Sequence, residues 1–211
     1  MNIDINNLAF LKKRRTMELQ KCSELRDAFI ASARKKGLDL TEAISAVADV
    51  FPALRNQYLA RKAGECADDR RGIFLAGEPG NGKTVALMFL SALCGYSYLR
   101  AIDLGAKFSA HGEAAFWDTV NPYARRIIIL DDLGAERDLR SYGNASPISE
   151  WLQRRYNAWQ LNGPVIHIAT NVGSDTLVER YGFRLLDRIY EMCVLKTVKA
   201  RTMRRAEPCP K

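Results

Sequence analysis

The sequence predicts an α/β protein, a parallel β-sheet held between layers of helices. Three observations carry that prediction. From residue 72 onward, short apolar runs alternate with longer amphipathic segments, the pattern of parallel strands joined by crossover helices. One run, Arg126–Leu130 (RIIIL), is so apolar and β-branched that it reads as a strand buried on both faces. The first run, Gly72–Ala76, leads directly into a glycine-rich turn and then a helical segment.

Taken in order, residues 9–36 read as an exposed basic helix, with LKKRR near its start and RKKG at its end. Cations there suit the carboxyl end of a helix dipole. Thr41 reads as the N-cap of EAISAVADVFPALRNQYLARK, a helix that Pro52 should kink or split. The polar segment GECADDRRG (64–72) breaks the pattern and marks a domain boundary. The expected division is a helical, partner-binding region 1–65, a core 66–199 and a basic tail 200–211. Within the core, strands are expected at Gly72–Ala76, Ser97–Ile102, Arg126–Leu130, Pro164–Ala169 and 193–198. Helices are expected at Lys83–Cys94, Glu113–Val120 and Ile148–Leu161, with two short ones around 174–190.

Composition narrows the classes. With 211 residues, 47% hydrophobic and 27% charged, the chain is globular, one domain with a short appendage, and a wholly disordered chain is excluded. No apolar run approaches the ~20 residues of a bilayer span, and the N-terminal charges follow a short apolar patch, the reverse of a secretory signal. A soluble, cytoplasmic protein without membrane contact is expected. Five cysteines without a CxxC pair suggest reduced thiols, neither a disulfide framework nor a zinc knuckle. The two histidines are too few for a histidine-based metal site, and His167, inside an apolar run, reads as structural. The net charge of +8 is concentrated in the flanks. Residues 1–63 hold 12 Lys/Arg against 7 Asp/Glu, residues 64–195 hold 14 against 16, and residues 196–211 hold 6 against 1. Such flanks attract polyanions, nucleic acid first among them, or serve equally as solvated faces.

Four constellations carry chemistry. Gly77-Glu78-Pro79-Gly80-Asn81-Gly82-Lys83-Thr84 fits G-x-x-x-x-G-K-[ST] between a strand and a helix, the context that motif requires. Its glycines let backbone N–H groups turn inward around a polyphosphate at a helix N-terminus. Residues Gly77 through Val85 are therefore the expected nucleotide contacts, with Lys83 on the β- and γ-phosphates and Thr84 on Mg²⁺. Without a ligand, such a turn should leave Lys83 buried and without a partner.

The second constellation is Ile127-Ile128-Ile129-Leu130-Asp131-Asp132, which puts two carboxylates at the carboxyl edge of a central strand, where open α/β sheets bind ligands. Asp131 is expected in the Mg²⁺ shell. Asp132 stands where ATPases of this kind carry the residue that polarises water, most often Glu; Glu136 is the alternative. Third, Asn171 ends PVIHIATN and is placed to hydrogen-bond the water or the γ-phosphate from a neighbouring strand. Fourth, Arg184 and Arg188 in RYGFRLLDRI share a helical face beside Asp187. Phosphoryl-transfer enzymes often place such an arginine against the γ-phosphate of a neighbouring subunit.

The order GEPGNGKT, LDDLGAE, ATN and RYGFRLLDRI resembles the AAA+ ATPases of the DnaC/DnaI/IstB type, which are helicase loaders and transposition helper proteins. The resemblance covers roughly residues 70–205. It implies a P-loop NTPase sheet of order 5-1-4-3-2 with a reduced or absent helical lid. It implies Asn171 as the first sensor residue, and Arg184 or Arg188 as the arginine acting in trans in an oligomer. LDDLGAE and ARTMRR look closer to the helicase-loader branch. Where that branch usually closes with Gly and Ser ahead of its Arg, Ala200 and Thr202 stand here, so no role is carried over to Arg204.

The expectation is an ATP-dependent DNA replication protein, a loader of a replicative helicase that binds and hydrolyses ATP with Mg²⁺. It would act as a homo-oligomer on single-stranded DNA. The alternatives are a transposition helper ATPase that assembles on DNA and recruits a transposase, and an ATP-binding adaptor with little turnover. A small-molecule kinase is disfavoured, because nothing between residues 85 and 170 reads as an acceptor pocket or an arginine-rich lid.

Overall fold

In the computed structural model, residues 19–35, 39–48, 70–137 and 146–199 are described. Their element order is α1 (Leu19–Lys35), α2 (Thr41–Ala48), β1 (Gly72–Ala76), α3 (Lys83–Cys94), β2 (Ser97–Arg100), α4 (Ala101–Val120), β3 (Ile128–Asp131), α5 (Pro147–Gln160), β4 (Ile166–Thr170), α6 (Ser174–Tyr181), α7 (Phe183–Met192) and β5 (Cys193–Thr197). A 3₁₀ turn, Asn121–Tyr123, follows α4. Every strand pairing is parallel, and the sheet runs β2-β3-β4-β1-β5. From its other edge this is the expected 5-1-4-3-2. β1 and α3 coincide with the expected bounds.

Strand alternation sorts the core into two layers. Phe74, Ile128, Leu130, Ile166 and Ile168 face the helices α4 to α7, meeting Phe116, Trp151, Leu152 and Ile189. Ile73, Leu75, Ile129 and Ala169 face the other way, against Leu87 and Phe89 of α3, Ile44 of α2 and Ile30 of α1. Burial on both faces explains why these strands read as continuous apolar runs. His167 belongs to the second layer, stacked on Tyr96 with ring centroids 5.4 Å apart.

Several boundaries differ from the expectation. β2 stops at Arg100 and α4 begins at Ala101, so Ile102 is helical and the helix reaches back well before Glu113. Gly112, at φ 78° and ψ −172°, kinks that helix and hid its first half from the periodicity. β3 and β4 start two residues late. The Arg126 N–H closes a turn onto Tyr123 O at 2.9 Å. The carbonyls of Pro164 and Val165 accept from Arg155, at 3.4 and 3.1 Å. Thr41 is the first residue of α2 rather than its cap: Leu40 O accepts from Ile44 N, and Asp39 Oδ1 accepts from the Thr41 N–H at 3.1 Å. The start of the basic helix before Leu19, its end at Lys36 and Gly37, the Pro52 kink, most of the 64–72 boundary and the 200–211 tail lie outside the described residues.

Candidate functional site

The carboxyl edge of the sheet gathers the expected residues. β1 ends at Ala76 and the chain turns at Gly77, where φ is 151° and a Cβ would lie 2.3 Å from Val198 O. Only glycine tolerates both that conformation and that approach. Gly82, at φ 91°, precedes α3 without a side-chain cap, which leaves first-turn N–H groups without a side-chain acceptor at the cap. Asn81 is fully buried and donates from Nδ2 to Val198 O at 2.7 Å.

Lys83 is 3% exposed, yet it has partners. Its ammonium donates to Gly77 O at 2.7 Å, Glu78 O at 2.8 Å and Asn81 Oδ1 at 2.9 Å. This corrects the expectation of a partnerless lysine: the tight turn brings its own carbonyls within reach of Nζ. Glu78 and Pro79 are exposed, Gly80 is half-buried, and Val85, within α3, packs partly buried against the core.

Thr84, second in α3, stands near the Asp131 carboxylate at the end of β3 and acts to lower its pKa. Asp131 Oδ1 accepts from the Asp132 N–H at 2.9 Å, and Oδ2 accepts from the Tyr98 phenol. Burial pushes the Asp131 carboxyl above the ordinary aspartate range and the Asp132 charge adds to this, while the Tyr98 hydrogen bond and the nearby Thr84 hydroxyl act against it. Burial, with the Asp131 charge beside it, also holds the Tyr98 phenol well above its usual value, so it remains a donor.

Asp132 adopts a left-handed conformation at φ 56°, unusual for a residue with a side chain. Its Oδ1 accepts from Asn171 Nδ2 at 2.7 Å, and Arg100 Nη2 lies 3.6 Å from its Oδ2. Asn171 directly follows β4, the neighbour of β3, as expected. The loop after β3 is locked in place by Leu133 N to Ala169 O at 2.9 Å and Thr170 Oγ1 to Leu133 O at 2.7 Å. Glu136 is 3% exposed and engaged at both oxygens, by the Gly134 N–H at 3.0 Å and by the Tyr181 hydroxyl.

The two arginines differ. Arg188 Cζ sits 5.0 Å above the ring of Tyr156 in the same chain, while Arg184 is exposed, next to an exposed Phe183. α7 runs toward the amino edge, where β5 begins, so Arg184 lies one turn nearer the candidate site.

Tyr98 and Arg100 are neighbours of the candidate site that motif reading missed. Their signal is the β2–β3 register, which sets Tyr98 against Ile129 and Arg100 against Asp131. Together the site offers a glycine-rich loop, a lysine, and a hydroxyl near a carboxylate. The last two are hard oxygen donors that fit Mg²⁺, which usually takes few protein ligands and completes its shell with phosphate and water. Among the described residues there is no group of three His, Cys, Asp or Glu that would cage a metal alone. Nor is any described helix long and apolar enough to cross a membrane.

Strand order, phosphate loop and acid-tipped β3 define a P-loop fold of the AAA+ type. No family model matches the sequence, and no curated protein does. Among solved structures, the chain is 30% identical to a DnaC helicase loader, covering 63% of this chain and 80% of that one, with a TM-score of 0.46. It is 18% identical to DnaI, covering 72% of this chain and 83% of that one, with a TM-score of 0.51. It is 20% identical to AMPPCP-bound DnaA from Aquifex aeolicus, covering 69% and 45%, with a TM-score of 0.47. In fold, the chain is similar to DnaI.

Proposed function

We propose that this chain is an ATP-dependent DNA replication protein that loads a replicative helicase, binding and hydrolysing ATP as a homo-oligomer on single-stranded DNA. The observation that carries the nucleotide part is the meeting of Lys83, Thr84, Asp131, Asp132 and Asn171 at one sheet edge. In this reading, Lys83 leaves the loop carbonyls for the β- and γ-phosphates, and Thr84 with Asp131 holds Mg²⁺. Asp132, oriented by Asn171, polarises the attacking water, because its carboxylate is partly exposed whereas Glu136 is buried against Gly134 and Tyr181. Arg184 is the better candidate to act in trans, since Arg188 rests on Tyr156 of its own chain. The loader part follows the resemblance in motif order, and DnaC, with which the chain shares 30% identity, is described as a helicase loader.

One observation favours a second reading, a nucleotide-binding adaptor with little turnover. Asp132 is shorter than the Glu usual at its position and is held by both Asn171 and Arg100.

The test is ATP binding by wild type and Lys83→Ala, followed by co-purification with a replicative helicase with and without ATP. The proposal expects binding to be lost in a folded Lys83→Ala protein, and helicase capture to depend on ATP. Wild-type ATP affinity in folded Lys83→Ala refutes the nucleotide part. Nucleotide binding without helicase capture refutes the loader part.

A further inference from the structure

Asp131 is held from a direction that the phosphate-loop motifs do not include. Tyr98 on β2 lies opposite Ile129 in the parallel register. Asp131 is two residues beyond Ile129, so the two side chains share a sheet face as diagonal neighbours. An aromatic side chain spans that diagonal, and the Tyr98 hydroxyl donates to Asp131 Oδ2. The other oxygen accepts from the Asp132 N–H at 2.9 Å, and Thr84 stands near the carboxylate from the helix side. Each carboxylate oxygen still has a second lone pair to offer. β2 thus reaches both acids, through Tyr98 to Asp131 and through Arg100 to Asp132.

We propose that Tyr98 is a positioning residue for a divalent cation, holding the Asp131 carboxylate in the rotamer that faces Thr84. The inference rests on reading this edge as a nucleotide–metal site. Tyr98 touches neither nucleotide nor metal; it acts through Asp131, as the outer partners of metal ligands commonly do. Its ring also packs partly buried against the α3 side of the core, so packing and hydroxyl have to be separated.

Tyr98→Phe separates them. In the full chain, binding of a fluorescent ATP analogue is measured first in EDTA and then with increasing MgCl₂. The expected result is an affinity in EDTA within about 2-fold of wild type, with the Mg²⁺ concentration for half of the metal effect raised about 10-fold. In an Asp131→Ala background the same change should add nothing, because the two residues act as one unit. Tyr98→Met, which fills space without a donor, replaces Tyr98→Phe if that variant does not fold. An unchanged Mg²⁺ requirement overturns the inference, as does an equal loss of affinity in EDTA, which assigns Tyr98 to packing. A wild type that ignores the analogue with and without Mg²⁺ overturns the nucleotide reading, and this inference with it.

Discussion

Asn171 donates from Nδ2 to Asp132 Oδ1 at 2.7 Å, joining the first residue after β4 to the first residue after β3. The two strands are neighbours, so a one-residue overhang on each suffices for the side chains to meet. Asp132 holds a left-handed backbone at φ 56°, a conformation that costs of order 1–3 kcal/mol and persists only where its surroundings impose it. The carboxylate is thereby aimed by Asn171 on one side and Arg100 on the other.

Asp132→Asn is expected to keep ATP binding and to slow hydrolysis by about 100-fold or more, the usual effect of removing a general base. Glu136→Gln should retain most of the turnover, because Glu136 is committed to Gly134 and Tyr181. Steady-state ATPase rates for the two variants decide between the acids. Normal turnover in Asp132→Asn with loss in Glu136→Gln would reverse the assignment.

Arg184→Ala should leave nucleotide affinity intact and lower the ATPase rate of the assembled protein by roughly 10³-fold, as loss of a trans-acting arginine does. Mixing Arg184→Ala with Lys83→Ala should restore part of the activity, since each supplies what the other lacks. Arg188→Ala should mainly lower stability, by about 0.5–1 kcal/mol for its contact with Tyr156. If Arg188→Ala alone abolishes turnover, Arg188 is the acting residue.

His167 predicts an acid sensitivity of the fold. Its Nδ1 accepts from the Ile73 N–H at 3.3 Å, and burial pushes the imidazole down from 6.5 to about 3. Below 6.5 the unfolded chain takes up a proton that the folded chain refuses. Stability is therefore full above that pH and falls as the pH drops toward about 3, by about 1.4 kcal/mol per unit. Urea unfolding at pH 7 and pH 5 should show His167→Gln losing about 2 kcal/mol less than wild type between those conditions.

Arg155 predicts a stability effect without a motif. It is 3% exposed, and its guanidinium donates to the carbonyls of Tyr123, Ala124, Arg126, Pro164 and Val165. Arg155→Met leaves buried carbonyls without donors and should cost about 3 kcal/mol. Arg155→Lys keeps the charge but not the fan of donors, and should recover only part of the loss. Urea unfolding midpoints for the three proteins provide the measurement.

These residues also show what could be read in the sequence. Phosphate loop, acid-tipped strand and strand-end Asn were legible because each depends on a few adjacent residues and a local change from strand to turn. Sheet order came from the resemblance those motifs carry. Tyr98 and Arg100 were not legible as site residues, because their meeting with Asp131 and Asp132 depends on the register between β2 and β3. Arg155 was hidden for the same reason: its partners lie in turns 9 to 32 positions away. The first half of α4 was lost to the kink at Gly112, which broke the helical period without ending the helix.

The mooring of Asn81 to Val198 bears on the order in which the molecule is completed. The two residues are 117 positions apart, so the carbonyl that holds the loop is synthesised long after the loop itself. β1 waits equally long for its second partner, because β5 pairs with it along the whole of Gly72–Ala76. During translation the loop therefore emerges beside a strand with an open edge, and Asn81 has no acceptor at residue 198. Once the last strand is laid down, the Lys199 N–H also reaches Glu42 on α2. Early, middle and late stretches of the chain then meet at this edge, and the glycine-rich loop is completed by a strand made well after it.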